Sequence, residues 1–422
     1  MVLSAMNSGV SGLRAEGEAI GVVGDNIANV NTTGFKSQRV IFQDVLGHSI
    51  LAGTSSAMPG SGVKVGDIQQ LFTQGSLSNT GVSTDLALSG DGFFTVKGAV
   101  NGLAGDFYTR DGTFNINKDG NLVNPSGLQV QGYQANPDGT FQASISSLKV
   151  PTSALPANAT TKMSVTANLD QTLLATKDAG TPLTFDVTNP AKTSDYSTTM
   201  TVYDSLGAGH TMDVYFNETA SGAWTWNAVS QADATAAPAI VGTGALTFDT
   251  TGALTGGNTG AIATTFTGAN ASAITIDFGT GTSGVTQFAS PSNVSSQSQD
   301  GYSSGDFSGV AVDGQGVVTG LYTNGQQLSI GQLAIAKFRS NDGLGRAGQN
   351  LWIETRDSGA VAFGTAGSGG RGAVSAGALE GSNVDLAEEF VGLIQHQRSF
   401  SANSKTITTA DEMLQELINI KR

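Results

Sequence analysis

The first forty residues constrain this chain most, because they carry a helical pattern with only one narrow apolar stripe. Two series of residues recur every seven positions and interleave at three-four spacing: Met6, Leu13, Ile20 and Ile27, together with Leu3, Val10, Gly17 and Gly24. This pattern predicts a helix from about Leu3 to Val30 that packs along a partner. The predicted N-terminal seam for assembly is Leu3, Met6, Val10, Leu13, Ile20, Ile27 and Val30.

Glycines interrupt the same stretch at positions 9, 12, 17, 21 and 24. Each costs about 0.8–1 kcal/mol relative to alanine inside a helix, and isolated helices are marginal even without that cost. The missing side chains also let another backbone approach closely. We therefore expect this segment to be largely unfolded until a neighbouring element packs on it.

The last forty residues carry a second, weaker stripe. Leu386, Leu393, Phe400, Ile407 and Leu414 are seven residues apart, and the second series is Phe390, Gln397, Ser404, Asp411 and Ile418. Ser382 followed by Asp385 predicts a capping box at the start of this helix. We expect the two terminal helices to pair as a coiled-coil-like stalk. The predicted C-terminal seam is Leu386, Phe390, Leu393, Phe400, Ile407, Leu414 and Ile418.

The first predicted helix is followed by residues that stop helices. Asn31 and Gly34 favour a turn, with Gly34 suited to a left-handed backbone and Phe35 an apolar anchor beyond it. On composition alone this is an ordinary helix exit. Residues 47–66 are rich in Gly and Ser and predict a loop.

Between the two ends, short alternating strands and tight turns predict a β body. Seven Asp-Gly pairs, which favour hairpin turns, all lie outside residues 139–299. In that gap the composition shifts to Thr, Ala and Ser, and segments such as AWTWNAV and AITIDF alternate as antiparallel strands do. We predict a mainly β protein with terminal α-helices, one discontinuous β domain and one inserted antiparallel β domain. The predicted parts are 1–68, 69–145 with 299–365, 146–298, and 366–422.

Composition and charge argue against several classes of function. The net charge of −14, with no Lys/Arg cluster, argues against nucleic-acid binding. The chain contains no cysteine, so disulfides and thiolate metal sites are excluded. No apolar run is long enough to predict membrane insertion, and no cleaved signal peptide is predicted.

No pattern predicts an enzyme, a cofactor or a metal site. GTGTSG at residues 279–284 matches a dinucleotide fingerprint, but Pro and Ser residues follow it where a helix is required. His48, His210 and His396 are far apart and have no second ligand at metal-binding spacing. We predict that the chain has no catalytic residues and binds no cofactor.

Three groups of motifs resemble a known family. NIANVNTTGFK near the start, GDGFFTV with YTRDGTF in the β body, and LEGSNVDLAEEF with QRSFSANSKTITTADEML near the end resemble the axial proteins of the bacterial flagellum. That family comprises rod, hook and hook-filament junction proteins. The inserted domain, with VYDSLG at 202–207 and DGQGVVTGLYTNGQ at 313–326, is similar to the hook type.

The resemblance implies a structural subunit of a curved, flexible tube that acts as a universal joint. It implies a homopolymer that adjoins a distal rod protein, a hook cap protein and a hook-filament junction protein. It also implies export through the flagellar type III apparatus to an extracellular position in the hook and basal body. Two alternatives are a distal rod subunit and a β-rich surface adhesin or lyase, which would use a cleft in the inserted domain near Trp224 and Trp226.

Overall fold

The computed structural model is a mainly β protein with a long helix at each end, and it describes residues 2–46, 60–173, 183–230 and 238–420. The predicted fold class is confirmed. The chain forms two compact units. Unit 1 is Met1–Thr152, Gly309–Gly320 and Leu328–Arg422, and unit 2 is Ser153–Ser308 with Leu321–Gln327. This division is coarser than the four parts predicted from the sequence, whose boundaries remain predictions.

The terminal helices lie side by side in unit 1. Helix α1 spans Val2–Ala28 and the C-terminal helix, α3, spans Leu386–Ile420. An antiparallel hairpin of β1 (Gln38–Leu46) and β2 (Gly60–Gln70) also packs against α1. The loop predicted for 47–66 is therefore wrong for residues 60–66, where Val63 and Val65 alternate along β2. Residues 47–59, with His48, lie outside the described residues.

The remaining strands of unit 1 are short and antiparallel. They are β3 (Leu77–Asn79), β4 (Leu86–Ser89), β5 (Phe93–Val100), β6 (Leu103–Thr109), β7 (Asn115–Ile116), β8 (Leu122–Val123), β9 (Gln129–Ala135) and β10 (Phe141–Ser147). One sheet has the order β23 (Gln327–Leu333), β9, β5, β6, β26 (Leu351–Ile353) and β25 (Gly345–Gly348), and β22 (Val317–Tyr322) and β21 (Phe307–Val312) continue it beyond β23. Two small sheets pair β28 (Ala373–Ala376) with β4 and β29 (Ala378–Glu380) with β3. These two pairs join the first part of the chain to its last part.

The later strands of the chain are β21 (Phe307–Val312), β22 (Val317–Tyr322), β23 (Gln327–Leu333), β24 (Ile335–Lys337), β25 (Gly345–Gly348), β26 (Leu351–Ile353), β27 (Ala362–Gly364), β28 (Ala373–Ala376) and β29 (Ala378–Glu380). Aromatic residues fill the core that they share with β5 and β6. Phe93 packs against Trp352 and Phe338 at ring-centroid distances of 5.4 and 6.0 Å. This core gives the terminal helices a rigid base.

Unit 2 is built on one sheet. Its elements are β11 (Lys162–Asp170), α2 (Pro190–Thr193), β12 (Tyr196–Tyr203), β13 (Gly209–Ala220), β14 (Ala223–Ser230), β15 (Ala239–Phe248), β16 (Ala253–Gly256), β17 (Thr259–Thr265), β18 (Ala271–Asp277), β19 (Gly281–Phe288) and β20 (Asn293–Gln299). The order is β12-β13-β14-β15-β16-β19-β11-β18-β17, with β20 beside β11. Most pairs are antiparallel, but β11 runs parallel to β18 and β19. Trp224 and Trp226 are fully buried in its core.

The turn between β12 and β13 is held by one carboxylate. One oxygen of Asp204 accepts hydrogen bonds from the backbone N–H groups of Leu206 and Ala208 at 2.8 and 2.9 Å. The other lies 2.9 Å from Nε2 of His210, whose ring stacks on Phe266. Burial by itself raises the pKa of the Asp204 carboxyl. The hydrogen bonds from His210 and the backbone outweigh that effect and leave the pKa below its ordinary value.

This lowered pKa makes the stability of unit 2 depend on pH. A carboxyl whose pKa is lower in the folded state contributes stability above its unfolded pKa, about 4, and loses that contribution as the pH falls through the folded value. Asp204→Asn is expected to lower the free energy of unfolding of unit 2 at neutral pH by about 1–3 kcal/mol. The free energy of unfolding of the variant should also decrease less than that of the original protein as the pH falls below about 4. Urea denaturation at a series of pH values measures both effects.

Asp249→Asn is the matched control, because Asp249 caps a similar turn through Thr251 and Ala253, whose hydrogen bonds also lower its pKa, but its carboxylate is exposed and screened by solvent. We expect Asp249→Asn to change the loss of unit 2 stability at acid pH much less than Asp204→Asn does. Equal effects from the two variants would contradict the role assigned to Asp204.

Candidate functional site

The close contact between α1 and α3 is made by the smallest side chains of α1. The buried positions of α1 are Gly9, Gly12, Ala15, Ala19, Val23 and Asn26. A Cβ added at Gly9 would lie 2.9 Å from Ile407, and one added at Gly12 would lie 2.6 Å from the carboxamide of Asn403. Both distances are shorter than van der Waals contact, so a larger residue at either position would require the facing Ile407 or Asn403 side chain to shift.

The predicted N-terminal seam lies beside this stripe. Met6, Val10, Leu13, Ile20, Ile27 and Val30 are all half-buried, and the side chain of Leu3 lies outside the described part of the chain. Among the residues that the structure describes, no other element approaches Gly17, Gly21 or Gly24, so the expectation that these glycines admit another backbone stays a prediction. A Cβ at any of these three would meet nothing within 4 Å. The heptad count selects the largest apolar residues, whereas the helix pair buries the smallest because they permit the closest approach.

The predicted C-terminal seam divides into two groups. Leu393, Ile407 and Leu414 are half-buried, whereas Leu386, Phe390 and Phe400 are 40%, 50% and 41% exposed. The side chain of Ile418 lies outside the described residues. The role of both seams in assembly remains a prediction.

The start of α3 differs by a few residues from the predicted capping box. The helix begins at Leu386, and Asp385 is the cap: its carboxylate accepts hydrogen bonds from the N–H groups of Ala387 and Glu388 at 2.8 and 3.3 Å. Ser382 instead accepts a hydrogen bond from the N–H of Val384 within the preceding turn. The capping-box assignment to Ser382 is therefore wrong.

Two polar contacts join the helices across their interface. Nδ1 of His396 lies 2.7 Å from Oε2 of Glu16, and Asn26 donates to Oε1 of Glu389 at 2.8 Å. Burial raises the pKa of Glu389, and the hydrogen bond from Asn26 lowers it in part. Asn26 also exchanges two hydrogen bonds with the backbone of Gln38. The residue thus connects both helices to the start of β1.

A fully buried ionic cluster lies where the helices meet the β body. Nζ of Lys36 is 2.6 Å from Oε1 of Glu380, and Nη1 of Arg110 is 3.2 Å from Oε2 of the same carboxylate. The Lys36 and Glu380 side chains are completely buried and that of Arg110 is 5% exposed. The three residues come from the exit of α1, the end of β6 and the end of β29. We call this set the buried triad.

The surroundings of the buried triad satisfy most of its polar atoms. Lys36 also donates to the carbonyl of Thr73 at 2.7 Å, and Glu380 also accepts from the N–H of Gly75 at 3.0 Å. The guanidinium of Arg110 lies 5.4 Å from the ring centroid of Phe93. Burial lowers the pKa of Lys36, and the adjacent carboxylate opposes that shift. One carboxylate therefore holds two cations, so its loss would leave both buried without a counter-ion.

The predicted helix stop lies directly against the buried triad. Gly34 has φ +67°, and its N–H donates to the backbone carbonyl of Glu380 at 2.7 Å. A Cβ at Gly34 would lie 2.6 Å from the backbone N of Asp111. Phe35 is buried, whereas Asn31 is exposed. The turn is therefore more than an ordinary helix exit, because only glycine fits this approach.

Two asparagines complete the junction. The side chain of Asn383 accepts a hydrogen bond from the N–H of Ser37 at 2.7 Å and donates to the carbonyl of Leu71 at 2.7 Å. Asn350 donates to the carbonyl of Thr33 at 2.9 Å. The motifs noted in the sequence contain Asn383 but not Asn350, and they do not indicate these contacts. The signal in the sequence that could have indicated the junction is a charged or amide residue inside a motif whose other residues are apolar or favour turns.

The arrangement offers no chemistry beyond fixing the geometry of the chain ends. In the described part of the chain, no group of three or more His, Asp or Glu residues is placed to hold a metal ion. None of the helices searched combines the length and apolarity needed to cross a bilayer. The fingerprint at 279–284 leads into β19 and not into a helix. The junction instead orients the helix pair on the β body.

Comparison with known proteins assigns the chain to a family. Four family profiles match successive segments: "Flagella basal body rod protein" at 6–36, "Flagellar hook protein FlgE/F/G D1 domain" at 87–168, "Flagellar basal body protein FlaE D2 domain" at 168–302, and "Flagellar basal body rod FlgEFG protein C-terminal" at 375–420. The flagellar hook protein FlgE of Salmonella typhimurium is 36% identical over 421 residues, which cover 99% of this chain and 100% of the relative. The chain belongs to the flagellar hook protein family.

Other hook proteins are similar over their whole length. FlgE of Escherichia coli is 35% identical over 99% of this chain and 100% of the relative, and FlgE of Treponema pallidum is 34% identical over 100% of both. This hook-family chain is therefore a structural subunit of the flagellar hook. The full-length matches favour this assignment over the distal rod alternative. Trp224 and Trp226 lie in the core of unit 2 and do not form the aromatic cleft that the adhesin alternative predicts.

The fold agrees with a solved hook structure. The crystal structure of Helicobacter pylori flagellar hook protein FlgE2 superposes with a TM-score of 0.53 and 15% identity, covering 70% of this chain and 98% of that chain. At this identity the likeness supports the hook-protein fold alone.

Proposed function

We propose that the subunit polymerises with copies of itself into a curved, flexible tube that acts as a universal joint between rod and filament. The observation that carries the proposal is an apolar patch on the first three turns of α3. Leu386, Phe390, Val391 and Ile394 are 40–67% exposed there, on a side of α3 turned away from α1. Water-exposed apolar side chains clustered on one helix favour burial against another chain.

The same proposal includes the neighbours of the tube. We propose contacts with a distal rod protein, a hook cap protein and a hook-filament junction protein, and export through the flagellar type III apparatus. Support comes from the matches to basal body rod profiles at both ends of the chain. The final position would be extracellular, in the hook above the basal body.

Removal of residues 386–422 tests the polymer. We expect the full-length protein to form tubes under polymerising conditions, whereas the truncated protein stays monomeric, because the truncation removes both the apolar patch and the partner of α1. Electron microscopy and sedimentation measure assembly. The truncation leaves the buried triad in place, so we expect the two β units to remain folded by circular dichroism.

A milder variant separates assembly from folding. Val391→Ser changes the most exposed residue of the patch, at 67%, and we expect it to slow tube formation with little change in subunit stability. Tubes formed by the truncated protein at the normal rate would contradict a role for α3 in the polymer.

A further inference from the structure

The chain contains two Asn-Gly pairs, at Asn101-Gly102 and Asn324-Gly325, and the structure places them in opposite environments. We infer that Asn101 is a site of spontaneous deamidation to aspartate and isoaspartate, and that Asn324 is protected from it. The inference is independent of the proposed polymer, because it concerns the folded subunit itself.

Deamidation needs a backbone nitrogen that can reach the side-chain carbonyl carbon of the preceding asparagine. The nitrogen of the following residue attacks Cγ of Asn, the Cγ–Nδ2 bond breaks and ammonia leaves, which forms a cyclic imide. Water then opens one of the two imide C–N bonds and gives either aspartate or isoaspartate. Glycine after Asn favours the attack because it has no Cβ to hinder the nitrogen.

Asn101 and Gly102 lie at the tip of the β5–β6 hairpin, where few contacts restrain them. Val100 pairs with Leu103, so the two residues are the whole turn, and their φ values of 52° and 81° are those of a type I′ turn. Both are exposed. Among the described residues the N–H of Gly102 makes no hydrogen bond, and the amide of Asn101 makes one long contact, 3.3 Å, to the carbonyl of Ala347.

Three hydrogen bonds hold Asn324 and Gly325 in place. The N–H of Gly325 donates to the carbonyl of Tyr322 at 3.0 Å, so the attacking nitrogen is already engaged. Nδ2 of Asn324 donates to the carbonyl of Ser303 at 2.7 Å, and its Oδ1 accepts from the N–H of Gln326 at 3.0 Å. The hydrogen bond of Gly325 must open before its nitrogen can attack, and the other two restrain the carboxamide of Asn324. The fold therefore suppresses at this pair the reaction that it permits at Asn101.

The modification would change the surface of the hairpin tip. Each event replaces a neutral amide with a carboxylate, which adds one negative charge to a chain that already carries −14. The isoaspartyl product also inserts a methylene into the backbone of a two-residue turn and thereby displaces Leu103, which is 54% exposed beside it.

The experiment is incubation of the full-length protein at mildly alkaline pH, followed by peptide mapping by mass spectrometry and labelling with a protein isoaspartyl methyltransferase. In the folded protein we expect Asn101 to deamidate at least ~10-fold faster than Asn324, because each hydrogen bond that must open slows the attack. In concentrated denaturant the two rates should converge to within about twofold, because the fold no longer protects either pair.

Asn101→Gln is the control, because glutamine closes the corresponding six-membered imide much more slowly, and it should abolish isoaspartyl labelling of the peptide that contains residue 101. Equal rates at the two pairs in the folded protein, or faster reaction at Asn324, would overturn the inference. So would a rate difference that persists unchanged in denaturant, since that would assign the effect to neighbouring sequence and not to the fold.

Discussion

Glu380→Ala is expected to destabilise unit 1 by about 3–5 kcal/mol, because it leaves Lys36 and Arg110 buried without their carboxylate. The side chain of Glu380 is completely buried and also accepts the N–H of Gly75, so the loss extends to a backbone hydrogen bond. Denaturant unfolding followed by two probes measures the effect, one probe for each unit. We expect the transition of unit 1 to shift to lower denaturant and that of unit 2 to remain in place.

Asp106→Ala is the matched control for an ion pair in the same unit. Lys97 and Asp106 lie 3.6 Å apart with side chains 60% and 44% exposed, so solvent screens their attraction. We expect a change of no more than about 0.5 kcal/mol. If Glu380→Ala had as small an effect as this control, the buried triad would not hold the junction together.

Gly12→Gln is expected to separate the two terminal helices. A Cβ at this position would lie 2.6–2.9 Å from three atoms of Asn403, and the rest of the glutamine side chain would have to enter the helix interface. The carboxamide of Asn403 would have to move aside, and overpacking of this kind costs about 1–3 kcal/mol. Amide hydrogen exchange in α1 and α3 and the rate of tube formation measure the loss.

Gly17→Gln is the same substitution at a position where we expect the opposite result. A Cβ at Gly17 meets nothing within 4 Å, so the variant should gain helix propensity, about 0.5 kcal/mol, without touching α3. We expect α1 to exchange more slowly in this variant. Equal destabilisation by both variants would mean that the closeness of α3 at Gly12 does not determine the outcome.

Much of the architecture could be predicted from the sequence. Both terminal helices, their pairing and the mainly β body follow from hydrophobic periodicity and turn signals, which act over short distances along the chain. The predicted helix from Leu3 to Val30 differs by only one or two residues from Val2–Ala28. Strand β2 was missed because its glycines and serines resemble a loop, although Val63 and Val65 alternate as strand residues do.

The junction could not be predicted in the same way. Lys36 and Glu380 are separated by 344 positions, and no local pattern indicates that they meet. The buried stripe of α1 was missed for a different reason: periodicity was judged from large apolar residues, and close helix packing selects Gly and Ala. Long-range pairing and backbone approach are properties of the assembled fold, and a single sequence records neither.

The triad also determines when this subunit can finish folding. Glu380 stands near the end of the chain, and β29 and β28 must return to β3 and β4 before it can meet Lys36. Unit 2 is nearly continuous in sequence, so it can form early, whereas unit 1 has to wait for Glu380, which follows Lys36 by 344 positions. Throughout that wait, the N-terminal helix has no fixed base on which to dock. The two terminal helices therefore stay apart until Glu380 and the strands that carry it are in place.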